Sequence, residues 1–349
     1  MLNNLAGLFL PFASRKTIIM DVETIPFGLN DLDSQMMVDE GPPKRIKCFV
    51  RGCSRLLEPA RYSNGPTCPE HGIRCNNSTT FSYGDPKRNI IVDQEIFGKW
   101  IIGHPDKFES GRLGSEKSED ALSWNVFRSL QQAGCLGKLA AEVFGLPTDV
   151  EPMLFLWGIN LNDDSFSFWE LLTKARSRFE SNLPVKRPLT EPDIMLHVPG
   201  HYLALIEAKF TSENGAYFVG RREKPDSLTA EELLSIYSHP SLELLNVGKA
   251  MTQPRIHYQL WRNMVFAEWM SRQGTETSTA YHFNLVRAGH DNESAEEFHT
   301  LVSEGFKDRF RQVTWEEIYT QAITEGPKLN RLCKYMQEKT TNLQKAFGV

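Results

Sequence analysis

The sequence predicts an α/β fold with a small appended module, on three observations. From Ser118 onward, helical and strand-like apolar patterning alternates along the chain. Within that stretch, Asp193 to Val198 and Leu203 to Phe210 are short apolar runs on either side of Pro199-Gly200-His201, a turn signal between paired strands. Ahead of it, roughly Asn30 to Asn89 is rich in Gly, Pro, Cys and Arg with little apolar periodicity, the pattern of a unit held together by something other than a hydrophobic core. The 349 residues, 40% hydrophobic and 24% charged, suffice for a sizeable core. The expected division is an N-terminal region over 1–100, containing the module at about 44–80, and a larger domain over 101–349.

Taken in order, Ser118 is an N-cap for a helix over Glu119 to Gln132, whose apolar face carries Ala121, Trp124, Phe127 and Leu130. Leu136 to Phe144 is a second amphipathic stretch, Met153 to Ile159 reads as a strand, and Phe166 to Phe179 is mixed. After the paired runs, Pro254 to Met270 has helical character and Ala280 to Ala288 reads as a strand. Ser294 to Phe310 and Trp315 to Ile323 are helical. This order of helices and strands fits helices layered on a sheet. No internal repeat is present.

A net charge of -5 and a pI near 6.0 exclude a binder that works by bulk positive charge, but not a protein with a basic groove. Candidate groove cations are Arg221, Arg222, Lys224, Arg255, Arg262, Lys307, Arg309 and Arg311, although any one alone is more often part of a solvated face. The apolar run Leu5 to Ala13 lacks a basic start and a small-residue cleavage site, so no signal peptide is expected, and no stretch approaches transmembrane length. The expectation is a cytoplasmic protein without membrane partners.

The chemistry concentrates in Glu191-Pro192-Asp193 and, after thirteen intervening residues, Glu207-Ala208-Lys209. If the mostly apolar runs between them pair as a hairpin, Asp193 comes near Glu207. Glu207 and Lys209 are two apart on a strand and so share a face with Leu205, while Ile206 and Ala208 point the other way. Two acids and a lysine on a buried hairpin are costly unless they are paired or hold a cation. A divalent cation that assists phosphodiester cleavage needs such a set, one or two carboxylates with the substrate phosphate completing its shell. Asp85-Pro86-Lys87 meets a looser form of the pattern but falls in a proline-containing loop.

Pro192-Asp193 with Glu207-Ala208-Lys209 resembles the motif of the PD-(D/E)XK nuclease superfamily. The resemblance covers about Ser118 to Ile323, with Val313 to Tyr319 similar to the closing helix of such proteins. It implies a restriction-endonuclease-like core, a central mixed sheet flanked by helices. It further implies that Asp193 and Glu207 bind Mg²⁺ or Mn²⁺, that the backbone carbonyl of Ala208 completes the shell, and that Lys209 positions or activates the attacking water. An acid on the preceding helix often joins them, and Glu119 fits that place, with Asp120 as its substitute, although the helix dipole alone favours an acid there. Gln259 is a candidate to line the site. Exonuclease-like branches carry a tyrosine four residues after such a glutamine, whereas this chain has Asn263. The implied function is a metal-dependent nuclease acting on DNA, an endonuclease in bacterial defence by analogy. Partner proteins of a defence system and a homodimer for two-strand cutting follow from the same analogy. A catalytically silent nucleic-acid-binding or scaffolding protein on the same fold, and an RNA or repair nuclease, are the alternatives.

Cys48 and Cys53, then Cys68 and His71, form two ligand pairs separated by fourteen residues, with Cys75 close behind. Zinc takes four nitrogen or sulfur ligands in a tetrahedron, and two such knuckles supply them. The second pair resembles a zinc-ribbon knuckle with a histidine in place of the last cysteine. His71 and Cys75 compete for the fourth position. A closed, structural zinc site is expected, with disulfides as the competing reading.

Overall fold

The structure, a computed structural model, describes residues 47–57, 66–75, 81–102, 112–163, 165–183, 189–222, 228–273, 277–341 and 344–349. The apolar run Leu5 to Ala13 and the candidate groove cation Lys224 lie outside them. Among the described residues, no helix is long and apolar enough to cross a membrane.

Near the N-terminus, β1 (Arg74–Cys75) pairs antiparallel with β2 (Phe81–Ser82). The central sheet is built from β3 (Met153–Leu156), β4 (Ile159–Asn160), β5 (Ile194–Val198), β6 (Tyr202–Ala208), β9 (Thr279–Val286) and β10 (Phe310–Thr314), in the order β10-β9-β6-β5-β3-β4. Outside it, β7 (Ala216–Phe218) and β8 (Arg255–His257) form a separate antiparallel ribbon. The sheet is mixed: β6, β9 and β10 run parallel, whereas β3, β4, β5 and β6 are joined antiparallel. The expected hairpin is present, with Ile194 opposite Ile206, Val198 opposite Tyr202 and Gly200 of the turn at φ 73°.

Helices cover both faces. One layer contains α2 (Glu119–Gln132), which follows α1 (Gln94–Ile102), together with α3 (Leu136–Glu142), α9 (Trp315–Thr324) and α10 (Asn330–Glu338). The other contains α4 (Glu170–Phe179), α5 (Ala230–Ile236), α6 (Val247–Ala250), α7 (Tyr258–Ser271) and α8 (Asn292–Leu301). Strand periodicity decides which side chain enters which layer. Along β6, Tyr202, Ala204, Ile206 and Ala208 join the α2 layer, and Leu203 and Leu205 join the α7 layer. Glu207 is next in the second series. Ile90, Ile91 and Phe97 also pack into the α2 layer, continuous with the core of the larger domain.

Several elements differ from the sequence expectation, for identifiable reasons. The helix over Glu119 to Gln132 and its Ser118 cap are as expected. Met153 to Ile159 is not one strand: Trp157 and Gly158 take φ of 52° and 90°, turning the chain into a β3–β4 hairpin. A side chain at Gly158 would come within 2.5 Å of the Phe168 ring, so the turn needs glycine for space as well as conformation. Pro254 to Met270 begins as the strand β8 and becomes helical only from Tyr258. Ser294 to Phe310 likewise breaks after Leu301 into a 3₁₀ turn, and Phe310 opens β10. In both runs apolar residues continue past the break, and their spacing does not mark where helix and strand change over. Asp85-Pro86-Lys87 lies at a 3₁₀ turn, where Asp85 caps Lys87 N–H at 2.9 Å.

A buried ion pair ties the C-terminus to the start of the larger domain. Lys339 Nζ donates to Asn89 Oδ1 at 3.1 Å and lies 3.9 Å from Glu116, while the Thr340 N–H and hydroxyl donate to the same carboxylate at 3.2 and 3.1 Å. Both charged side chains are 1% exposed, so removing one strands the other. Lys339→Met should lower stability by about 3 kcal/mol in denaturant titration, and the double substitution with Glu116→Gln should cost less than Lys339→Met alone.

Candidate active site and cysteine cluster

The approach to Asp193 is fixed before the strand begins. Arg176 Nε on α4 donates to the Thr190 carbonyl at 2.7 Å, and the buried Glu180 accepts the Thr190 N–H at 3.0 Å and the Tyr237 hydroxyl at 2.6 Å. Trp157 N–H donates to the Asp193 carbonyl at 3.1 Å. Held there, Asp193 Oδ2 accepts the N–H of Ala208 at 2.9 Å, which bridges the open end of the hairpin.

Glu207 is surrounded by donors. Lys209 Nζ lies 2.5 Å and Gln259 Nε2 lies 2.7 Å from its Oε1, and Asn263 Nδ2 lies 2.7 Å from its Oε2. Gln259 and Asn263 are one turn apart on α7 and so face Glu207 together. The backbone after Glu207 is equally constrained. Lys209 N–H donates to the Leu285 carbonyl at 2.7 Å, Trp315 Nε1 donates to the Lys209 carbonyl at 3.0 Å, and Glu119 Oε1 accepts from Phe210 N–H at 2.8 Å and the Ser212 hydroxyl at 2.7 Å. The fold therefore brings Asp193, Glu207, Lys209, Glu119 and Gln259 to one end of the sheet.

Burial dominates the electrostatics. Glu207 and Lys209 are 4% and 6% exposed. Burial disfavours the Glu207 carboxylate, but Lys209, the Arg262 charge and the Asn263 hydrogen bond outweigh it and hold its pKa below the usual range. Asp193 goes the other way: burial, then the neighbouring Glu207 charge, with a contribution from Asp120, push its pKa well above the ordinary carboxylate value. Burial also works against the Lys209 ammonium, but Glu207, Asp193 and Glu119 together raise its pKa above the lysine range. A site with one ionised acid already paired, and a second that repels it, has the donors and the surplus negative charge that a divalent cation would relieve.

The cysteine-rich segment forms its own small core of Phe49, Leu57, Ile73, Phe81 and Tyr83 around Cys48 and Cys68. The ligand atoms of Cys48, Cys53, Cys68 and His71 lie within 4.8 Å of one another. His71 Nδ1 is 3.7 Å from Cys48 Sγ and 3.6 Å from Cys68 Sγ. Tetrahedral zinc with Zn–S bonds of about 2.3 Å has ligand–ligand edges of roughly 3.8 Å, so the donor set fits zinc. Burial pushes the Cys48 thiol up to about 12. Burial acts on Cys68 too, but hydrogen bonds from the His71 backbone and ring bring it down to about 7. Cys75 lies on β1 opposite Phe81, and its side chain is outside the described residues.

Residues 164–339, just over half of the chain, match the model of the family described as Restriction Endonuclease associating with ARP. The chain belongs to this family. The matched part of this restriction-endonuclease family member contains Asp193, Glu207, Lys209, Gln259 and Asn263, and it begins after α2, so Glu119 and the cysteine cluster fall outside it. No curated protein and no solved structure matches the chain.

The family member's site also contains residues that sequence reasoning did not select. Asn263, noted only as a departure from tyrosine, is a direct partner of Glu207. The spacing of four from Gln259 was the available signal. Asn284, opposite Glu207 in the register, accepts from Asn214 Nδ2 at 2.9 Å and donates to Gln312 Oε1 at 3.1 Å, extending the polar line across β9 to β10. No local pattern announces it, because the three amides are far apart in sequence. Lys117, two residues ahead of Glu119, is also perturbed: burial, then the Arg287 charge, lower the pKa of its ammonium.

Two outcomes follow. Asp193→Asn removes a buried acid whose ionisation burial and Glu207 oppose. It should raise the melting temperature of the chelated protein by roughly a few degrees at pH 8. A raised acid pKa disfavours the folded state at high pH, so this gain should shrink as the pH falls and Asp193 takes up its proton. For the cluster, elemental analysis of reduced protein should find about one zinc per chain, lost on Cys68→Ser.

Proposed function

We propose that this chain is a divalent-metal-dependent nuclease that hydrolyses DNA phosphodiester bonds. The observation that carries the reading is the convergence of Asp193 and Glu207 with Lys209 at the buried end of the β5–β6 hairpin. The family's description as a restriction endonuclease supports DNA as the substrate; a defence setting, a dimer and partner proteins are proposed by analogy with such enzymes. Asp193, Glu207 and the Ala208 carbonyl would hold Mg²⁺ or Mn²⁺, with an acid from α2. A bound divalent ion supplies Lewis-acid neutralisation of charge at the phosphoryl group.

The chain's own residues do the rest. Glu207 stays ionised because Lys209, Gln259 and Asn263 donate to it while leaving acceptor capacity on Oε2, and it keeps the Lys209 ammonium charged and fixed in direction. Lys209 is then a stationary donor for orienting the attacking water and stabilising charge that develops at the phosphorus. Of the acids on α2, Glu119 spends one oxygen on the backbone after Lys209 and acts on Lys209 through its charge, whereas Asp120 acts on Asp193. Glu119 is the proposed third ligand, and its position also shapes the loop that follows. The cysteine cluster is proposed as a structural zinc site over about 44–80, attached to the nuclease domain through β2, where the Phe81 carbonyl accepts the Glu116 N–H at 3.2 Å.

Plasmid, linear duplex, single-stranded DNA and RNA, each incubated with Mg²⁺, Mn²⁺ or EDTA, test the reading directly. DNA should be cut only with the cation. Asp193→Ala and Lys209→Ala should each lower the rate by at least about a thousandfold with the far-UV circular dichroism unchanged. Cleavage by Asp193→Ala at the parental rate would refute the assignment.

A further inference from the structure

Most of the described candidate groove cations carry an acid partner. Arg222 pairs with Glu232 at 2.8 Å, Arg255 with Glu293 at 2.6 Å and Glu297 at 2.7 Å, Lys307 with Glu304 at 3.6 Å, Arg309 with Asp308 at 3.4 Å, and Arg311 with Glu317 at 3.5 Å. Paired charges of this kind add little to the attraction of a polyanion, so another source of positive charge is needed at the site.

Lys117 and Arg287 supply it. Lys117 lies two residues before Glu119, directly ahead of the Ser118 cap of α2, and Arg287 directly follows β9 at the end of the sheet where Lys209 sits. The Arg287 guanidinium lies 6.0 Å from the centre of the Phe210 ring and donates to the Thr341 hydroxyl at 3.0 Å. Its Nε is buried without an acceptor. Neither cation has a carboxylate within ion-pair distance among the described residues. The neighbouring acids are engaged elsewhere: Glu116 by Lys339 and Thr340, and Glu119 by the backbone of Phe210. Thr340 binds Glu116 while Thr341 binds Arg287, so two successive residues tie the segment that carries Lys117 to the one that carries Arg287. Two half-buried cations on adjoining segments, neither with an ion-pair partner among the described residues, cost stability unless an anion joins them.

We infer that Lys117 and Arg287 form a clamp for a phosphodiester group of the nucleic-acid backbone, adjacent to the phosphate that is cut. Arg287 offers the guanidinium N–H groups that Thr341 leaves free, and Lys117 adds a second positive charge. The inference rests on the nuclease reading for the identity of its ligand, and not on any role for Lys117 or Arg287 in the chemical step.

Two measurements test it. With duplex DNA oligonucleotides and Mg²⁺, Lys117→Ala and Arg287→Ala should each raise KM roughly five- to twentyfold while kcat at saturation stays within about threefold of the parent, and Lys117→Arg should restore most of the loss. In the Asp193→Asn background, where binding is read without cleavage, each substitution should weaken DNA binding. Each should also reduce the slope of log K against log salt by about one. Arg311→Gln, whose charge Glu317 already offsets, should leave the slope nearly unchanged. Unchanged KM and unchanged salt slope in Lys117→Ala would overturn the clamp, and this variant decides the matter if Arg287→Ala fails to fold. A parent protein that cuts no DNA would refute the nuclease reading, while the salt slope would still report on the clamp.

Discussion

Glu207 cannot reach bulk water from where the sheet places it. It is the next residue of the Leu203–Leu205 series on a strand whose residues are all buried, and a carboxylate there must be compensated or neutralised. The compensation comes from three directions: an ammonium two residues along the same strand, and two amides one turn apart on α7. Those partners fix how α7 lies over the sheet. Satisfying Glu207 is thus inseparable from docking the helix that supplies much of that layer's apolar surface, including Leu260, Trp261, Met264 and Val265.

The consequence for chemistry is an asymmetric pair of acids. Glu207 is ionised and directional, whereas Asp193 is held a hairpin's width away, with a backbone N–H as its hydrogen-bond donor and a proton affinity raised by burial and by Glu207. Such a pair is poorly compensated in isolation and well suited to a divalent ion, which explains why the surrounding backbone is tied down so thoroughly. The N–H groups of Ala208, Lys209 and Phe210 each find a separate acceptor, on Asp193, on Leu285 and on Glu119. Preorganisation of this kind keeps reactive groups in place without the reorganisation that water would require.

The N-terminal module follows a different rule. Its apolar core is small, and the four donor atoms of Cys48, Cys53, Cys68 and His71 gather at its centre. The proposed zinc would give a unit of this size the stability that its small buried area does not. Its second strand is hydrogen-bonded to the segment just ahead of α2, so its integrity bears on where Lys117 and Glu119 sit.

The sequence by itself determined the parts that depend on local periodicity and on short spacing. The helix over Glu119 to Gln132 and its cap, the hairpin with Glu207 and Lys209 on one face, and the paired Cys and His ligands were all legible, because each is written within a few residues of chain. The layering of helices on a sheet was legible from the order of elements, and the mixed sheet from the resemblance carried by the motif. The tertiary structure decided what depends on residues meeting from afar. Met153 to Ile159 folds back because Trp157 and Gly158 adopt left-handed backbone conformations that no apolar pattern reveals, and β8 and β10 are strands because sheet or ribbon partners were available to them. The placement of Asn284, Lys117 and Arg287 lay beyond the sequence for the same reason. A polar side chain's meaning is set by what its partners leave unsatisfied, and those partners are brought to it by the fold.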